Sequence, residues 1–131
     1  MNVNEELIRY VEREILPRYD AFDRAHRRDH ALTVIAASLR LARYYEVNPD
    51  MVYAVAAYHD TGLREGRGRH HEASARIVRG DRNLRRWFTE AEVATIAEAA
   101  ERIQAMGEGR EAYPFDIDGA VVKVNSLAER E

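Results

Sequence analysis

Residues 51–58 run Met-Val-Tyr-Ala-Val-Ala-Ala-Tyr without a charge, preceded by Asn48-Pro49 and followed by His59-Asp60. Asn suits an N-cap and Pro the first helical position, so the sequence predicts a helix over residues 51–60 that is apolar almost all round. A helix with no polar face belongs at the centre of a fold and has to be covered on every side. Strands are not available to cover it, because apolar positions recur at helical spacing nearly everywhere and no run of strict alternation stands out. The expected fold class is therefore all-α, a compact single-domain bundle of about five to seven helices over residues 1–131. With 46% apolar and 33% charged residues, a 131-residue chain can bury one core, is too apolar for disorder and is too short for two ordinary domains. Internal repeats and low-complexity segments are lacking.

The other helices carry their own punctuation. Asn4 can cap a first helix with Leu7, Ile8, Val11 and Ile15 on its face, ended or kinked by Pro17 and followed by a turn through Asp20. Residues 30–46 read as a second helix, with Asp29 as its cap and Val34, Ile35, Leu39 and Leu41 as core residues. Gly62, Gly66 and Gly68 interrupt residues 61–69, which are expected to form a mobile loop directly after His59-Asp60. A short helix is expected over residues 71–79, stopping at Gly80, then a turn over residues 83–88. Thr89 with Glu92 has the form of a capping box, and Val93, Ile96, Ala97, Ala100 and Ile103 continue one face as far as Gly107. Residues 117–129 form a last, weaker helix candidate, since Val121, Val122 and Val124 are mediocre helix formers.

Charge and residue usage narrow the function classes. The net charge of −3 argues against a dedicated nucleic-acid binder. The distribution is uneven: residues 64–86 hold eight arginines against three acids, and residues 87–131 hold four basic residues against ten acids. A solvated face accounts for such runs as readily as a binding surface. No apolar run reaches the length of a membrane span, and Glu5, Glu6 and Glu12 stand where a signal peptide needs a basic start, so a cytoplasmic location is expected. Without cysteine, any metal must be held by His, Asp, Glu or water.

All five histidines, at 26, 30, 59, 70 and 71, flank helix ends or the glycine loop. His59-Asp60 places an imidazole and a carboxylate, the ligands of an oxygen-and-nitrogen metal site, at the edge of the core. Desolvating a carboxylate costs several kcal/mol unless a cation or hydrogen bonds compensate, so an Asp ending an apolar helix calls for a partner. The alternative is that Asp60 caps its own loop while His59 is a hydrogen-bonded core residue. A zinc-protease helix motif, a phosphate-binding glycine loop, a dinucleotide fingerprint and a serine elbow are all lacking, with Ser38, Ser74 and Ser126 falling inside predicted helices.

Three segments in order carry a resemblance: Phe22-Asp23-x-x-His26-x-x-x-His30-x-x-x-Val34, then Ala56-Ala57-Tyr58-His59-Asp60-Thr61-Gly62-Leu63, then Arg69-His70-His71-x-x-Ser74-Ala75-x-Ile77. The sequence resembles the all-α HD-domain metal-dependent phosphohydrolases, and is most similar to their small stand-alone bacterial members. The resemblance implies a hydrolase that acts on a small phosphorylated metabolite or nucleotide. It also implies one divalent cation, whether manganese, magnesium, cobalt, nickel, iron or zinc, held by His30, His59 and Asp60. His59 and Asp60 are then the catalytic pair, and Asp60 can bridge to a second ion in two-metal members. His70 or His71 matches a position that binds a second ion or the substrate phosphate, His26 matches a substrate or supporting contact, and Arg64, Arg67 and Arg69 can neutralise phosphate charge. The implied partner is a small phosphorylated molecule, with neither a membrane nor dedicated nucleic-acid binding, and self-association as a homodimer stays open.

The C-terminal part departs from the pattern. Ala100-Glu101-Arg102-Ile103 stands where related members have Glu-Asp-His-Arg, and Ser126 falls on the family's last metal-binding Asp. Asn125, Asp116 or Asp118 is then the candidate fourth ligand. The same departure raises the alternative of a degenerate HD domain with an incomplete metal site that works as a phospho-ligand-binding or protein-interaction module.

Overall fold

In the computed structural model, which describes residues 3–21, 28–59, 61 and 70–107, three short-range capping signals each start a helix. The Asn4 side chain accepts from the Glu6 and Leu7 amides at the head of α1, Glu5–Tyr10. Asn48 accepts from the Asp50 amide and Pro49 fills the first position of α3, Pro49–Tyr58. Thr89 and Glu92 close the expected reciprocal box at the head of α5, Glu90–Gly107, with Oγ1 accepting from the Glu92 amide at 3.1 Å and Oε1 from the Thr89 amide at 2.8 Å. The other α-helices are α2, Arg28–Ala42, and α4, His70–Gly80. The described residues are all-α, and no helix among them is long and apolar enough to cross a membrane.

The central position of α3 follows from its composition. Residues 51–58 are all buried, and the helix packs against α2, α4, α5 and the segment after α1. Each fully buried Val or Tyr of this kind contributes on the order of 1.5–3 kcal/mol relative to exposure.

Several boundaries differ from expectation. The first helix does not stop at Pro17: a π-turn over Val11–Ile15 leads into a 3-10 segment over Leu16–Ala21, which buries Ile15, Leu16 and Tyr19. Proline at 17 has no amide to give the carbonyl four residues back, so the ladder shifts its spacing around it while the apolar face continues. Asp29 lies inside the first turn of α2 and not at its cap, and α2 ends at Ala42, four residues short of Glu46. Its end is closed by three-residue bonds from the Tyr44 and Tyr45 amides, and Tyr44 is 82% exposed, so burial of that side chain does not reward continuing the helix. α4 begins at His70 and runs through Gly80, one residue beyond expectation at each end. The turn after it is a 3-10 segment, Arg82–Arg86, capped by Asp81.

The buried face of α2 is also narrower in volume than its leucines suggested. Ala31, Val34, Ile35, Ser38 and Ala42 form it, while Leu39 and Leu41 are only partly buried. Small residues on that face let α2 lie close to the alanine-rich α3. Ser38 is 1% exposed and its hydroxyl finds no hydrogen-bond partner among the described residues. A buried hydroxyl without a partner is destabilising, and Ala is the better helix former. Ser38→Ala is therefore expected to stabilise the fold by about 0.5–1 kcal/mol, seen as a melting temperature raised by roughly 2–4 °C. A lowered melting temperature would show that the hydroxyl is satisfied in solution.

Candidate metal centre

An α-helix leaves its last carbonyls without intrahelical partners, and a buried carbonyl left unpaired is costly. The end of α3 is buried, and four successive carbonyls there each accept a bond from a side chain. His59 Nδ1 lies 2.6 Å from the Ala56 oxygen, and the Tyr19 hydroxyl donates to Ala57 at 2.7 Å. The Thr61 hydroxyl donates to Tyr58 at 2.7 Å, and the Ser74 hydroxyl to His59 at 2.9 Å. The donors come from three parts of the chain: the segment after α1, the helix end itself and α4. They hold the end of α3 in place from Ala56 to His59.

The first of these contacts also sets the state of the imidazole. A carbonyl oxygen has only lone pairs, so Nδ1 must carry the proton, and in the neutral ring the lone pair then sits on Nε2. This is the tautomer, oriented by a backbone carbonyl, that metal-ligating histidines adopt. His59 is 3% exposed, so the ring is held at the margin of the core and not in open solvent. Its geometry fits one nitrogen ligand of a divalent cation.

Of the residues that sequence reasoning assigned to the site, only His59 has its side chain among those described. His30 lies in the first turn of α2 and His70 and His71 in the first turn of α4, where the backbone alone is described. His26, Asp60, Arg64, Arg67, Arg69, Asp116, Asp118, Asn125 and Ser126 lie outside the described residues, as do all of the expected loop over residues 61–69 except Thr61 and the expected helix over residues 117–129. Among the described residues no group of three or more His, Cys, Asp or Glu side chains is placed to hold a metal ion.

Sequence reasoning missed the supports of the His59 turn. Thr61 carried a local signal, a hydroxyl three residues after a helical carbonyl. Ser74 carried a weaker one, a hydroxyl between Ala73 and Ala75 on a buried stretch of α4. Tyr19 carried none. A second cluster involves the last residue of α3: the Tyr10 and Tyr58 hydroxyls both donate to Asp81 Oδ2 at 2.6 Å. Asn83 donates from Nδ2 to the Tyr10 oxygen at 3.3 Å, and its amide donates to Asp81 Oδ1 at 3.1 Å. This cluster ties α1, α3 and the turn after α4 together next to His59.

Comparison with curated proteins and with solved structures returned no match. A family model described as the HD domain matches residues 27–126, well over half of the 131-residue chain, and spans α2, the clamped end of α3, α4 and α5: the chain belongs to the HD-domain family.

Proposed function

We propose that the chain is a metal-dependent phosphohydrolase acting on a small phosphorylated metabolite or nucleotide. Family membership supports the class of chemistry, since HD domains generally bind divalent metals. The observation that supports the reading for this chain is the His59 ring, whose Nδ1 faces the Ala56 carbonyl, so that Nε2 would be the nitrogen offered to a cation. His30, His59 and Asp60 would hold one divalent cation. Such an ion, when bound, supplies a water of lowered pKa and polarises a phosphoryl oxygen. His26, Arg64, Arg67, Arg69, His70 and His71 would bind the phosphate and offset its charge, arginine through paired N–H donors.

Metal uptake tests the reading. The purified chain is expected to take up close to one manganese, cobalt, nickel or magnesium ion, and to release inorganic phosphate from phosphomonoesters only when loaded. Removal of the ion by a chelator should abolish turnover, and returning it should restore turnover. Ser126, in place of the family's final Asp, favours a second reading in which an incomplete site binds a phosphorylated ligand or a protein without turnover. Phosphate-ester binding with neither metal uptake nor hydrolysis is the outcome that selects it. Ser126→Asp should then raise manganese affinity by about tenfold or more, about 1.4 kcal/mol, if that position faces the ion.

A further inference from the structure

The four bonds at the end of α3 are not equivalent. Three of them come from the helix end or from the segment after α1. The fourth comes from Ser74, fifteen residues along the chain from His59 and on a different helix. Ser74 is fully buried, with Ala73 and Ala75 buried on either side. A hydroxyl in such a position is tolerated where it is hydrogen-bonded, and alanine would otherwise suit the helix better. The oxygen it binds belongs to the peptide that leaves His59. That peptide is planar, so anchoring the His59 carbonyl fixes the plane of the peptide at the end of α3. On α4 the backbone positions of His70 and His71 lie one helical turn before Ser74.

We propose that Ser74 is a positioning residue for His59: its hydroxyl holds the His59 carbonyl and so ties α4 to the end of α3. The proposal rests on the reading of His59 and Asp60 as metal ligands, and it extends that reading to a residue that touches neither metal nor substrate. Ser74→Ala removes the donor, and Ser74→Cys keeps the size while weakening the donor. Ser38→Ala is the control, because it deletes an equally buried hydroxyl that has no bond to lose among the described residues.

The experiment compares these three variants with wild type in the full chain. Manganese affinity is read by calorimetry, and the His59 carbonyl carbon and Asp60 amide resonances are read by nuclear magnetic resonance without metal. Ser74→Ala is expected to move both resonances and to weaken manganese binding by about tenfold or more, the order seen for groups that orient a ligand. Ser74→Cys should fall between Ala and wild type and keeps the question open to measurement if the alanine variant folds poorly. Ser38→Ala should change neither readout. Wild-type affinity in Ser74→Ala, or weakened affinity with an unmoved His59 carbonyl, overturns the proposal. If wild type itself takes up no manganese, the phosphohydrolase reading fails, and the carbonyl resonance alone then decides whether Ser74 sets the peptide.

Discussion

Replacing His59 by asparagine is expected to weaken manganese binding by at least about 100-fold, or roughly 2.8 kcal/mol, and to remove metal-dependent phosphate release with it. The choice of asparagine follows from the geometry. Its amide nitrogen falls near the position of Nδ1 and can still donate to the Ala56 carbonyl, which His59 Nδ1 approaches to 2.6 Å. What disappears is Nε2, the nitrogen assigned to the ion. Groups that merely orient a ligand are worth about 10- to 100-fold, so the ligand itself should be worth at least the upper end of that range. The metal-free variant should melt within a few degrees of wild type, because the helix end keeps its four acceptor bonds and loses only part of a ring. Unchanged manganese affinity in a folded His59→Asn protein would show that the ring is a core residue serving its own helix end.

Why parts of this molecule are legible in the sequence and others are not comes down to the separation over which the deciding contacts act. Asn4, Asn48 and the Thr89–Glu92 box were legible because each acts on amides two or three residues away. The central helix was legible because eight consecutive apolar side chains leave no polar face to expose. Asp29 was misplaced for a related reason: an Asp suits the cap and the first turn alike, and only the preceding residues decide between them. The helix after it was drawn too long because Tyr44 and Tyr45 look apolar in sequence, yet Tyr44 is left exposed. At the site, the His59–Asp60 pair and the His-His segment were legible as a motif. Their supports were not, because Ser74 reaches His59 across fifteen residues, Tyr58 reaches Asp81 across 23 and Tyr10 reaches Asp81 across 71. No local pattern encodes such pairings, since they exist only once the helices have packed.

The longest of those pairings yields the largest expected loss of stability. Asp81→Ala removes one carboxylate that accepts from two tyrosine hydroxyls and caps the 3-10 segment through the Asn83 amide. Tyr58 is fully buried and Tyr10 nearly so, so both hydroxyls lose an acceptor that water replaces poorly. A buried polar group left unpaired costs about 1–3 kcal/mol, and a lost cap about 1 kcal/mol. For two hydroxyls and one cap the sum is about 3–7 kcal/mol, a fall in melting temperature of roughly 12–28 °C for a chain of this size. Tyr58→Phe should cost less, about 1–2 kcal/mol, because Asp81 keeps Tyr10 and Asn83. The cluster also gives the fold an alkaline limit. Burial first, and the Asp81 carboxylate second, push the Tyr10 hydroxyl up to about 12 and push Tyr58 higher still, while burial with the charge of Glu12 raises Tyr53. These groups are favoured as neutral hydroxyls in the folded state, against an ordinary tyrosine pKa of about 10 in the unfolded chain. Their contribution is complete below pH about 10 and is lost as pH rises through the folded values. Wild-type melting temperature should therefore show no fall linked to these three tyrosines up to that point and should drop above it, with the absorbance of these buried tyrosines as tyrosinates appearing together with unfolding. Asp81→Ala narrows the shift on Tyr10 and Tyr58, so the gap between the two proteins should shrink toward pH 12. A fall of less than about 4 °C for Asp81→Ala at neutral pH, the equivalent of about 1 kcal/mol, would mean that the two hydroxyls find other acceptors and that Asp81 is not the tie between α1 and α3.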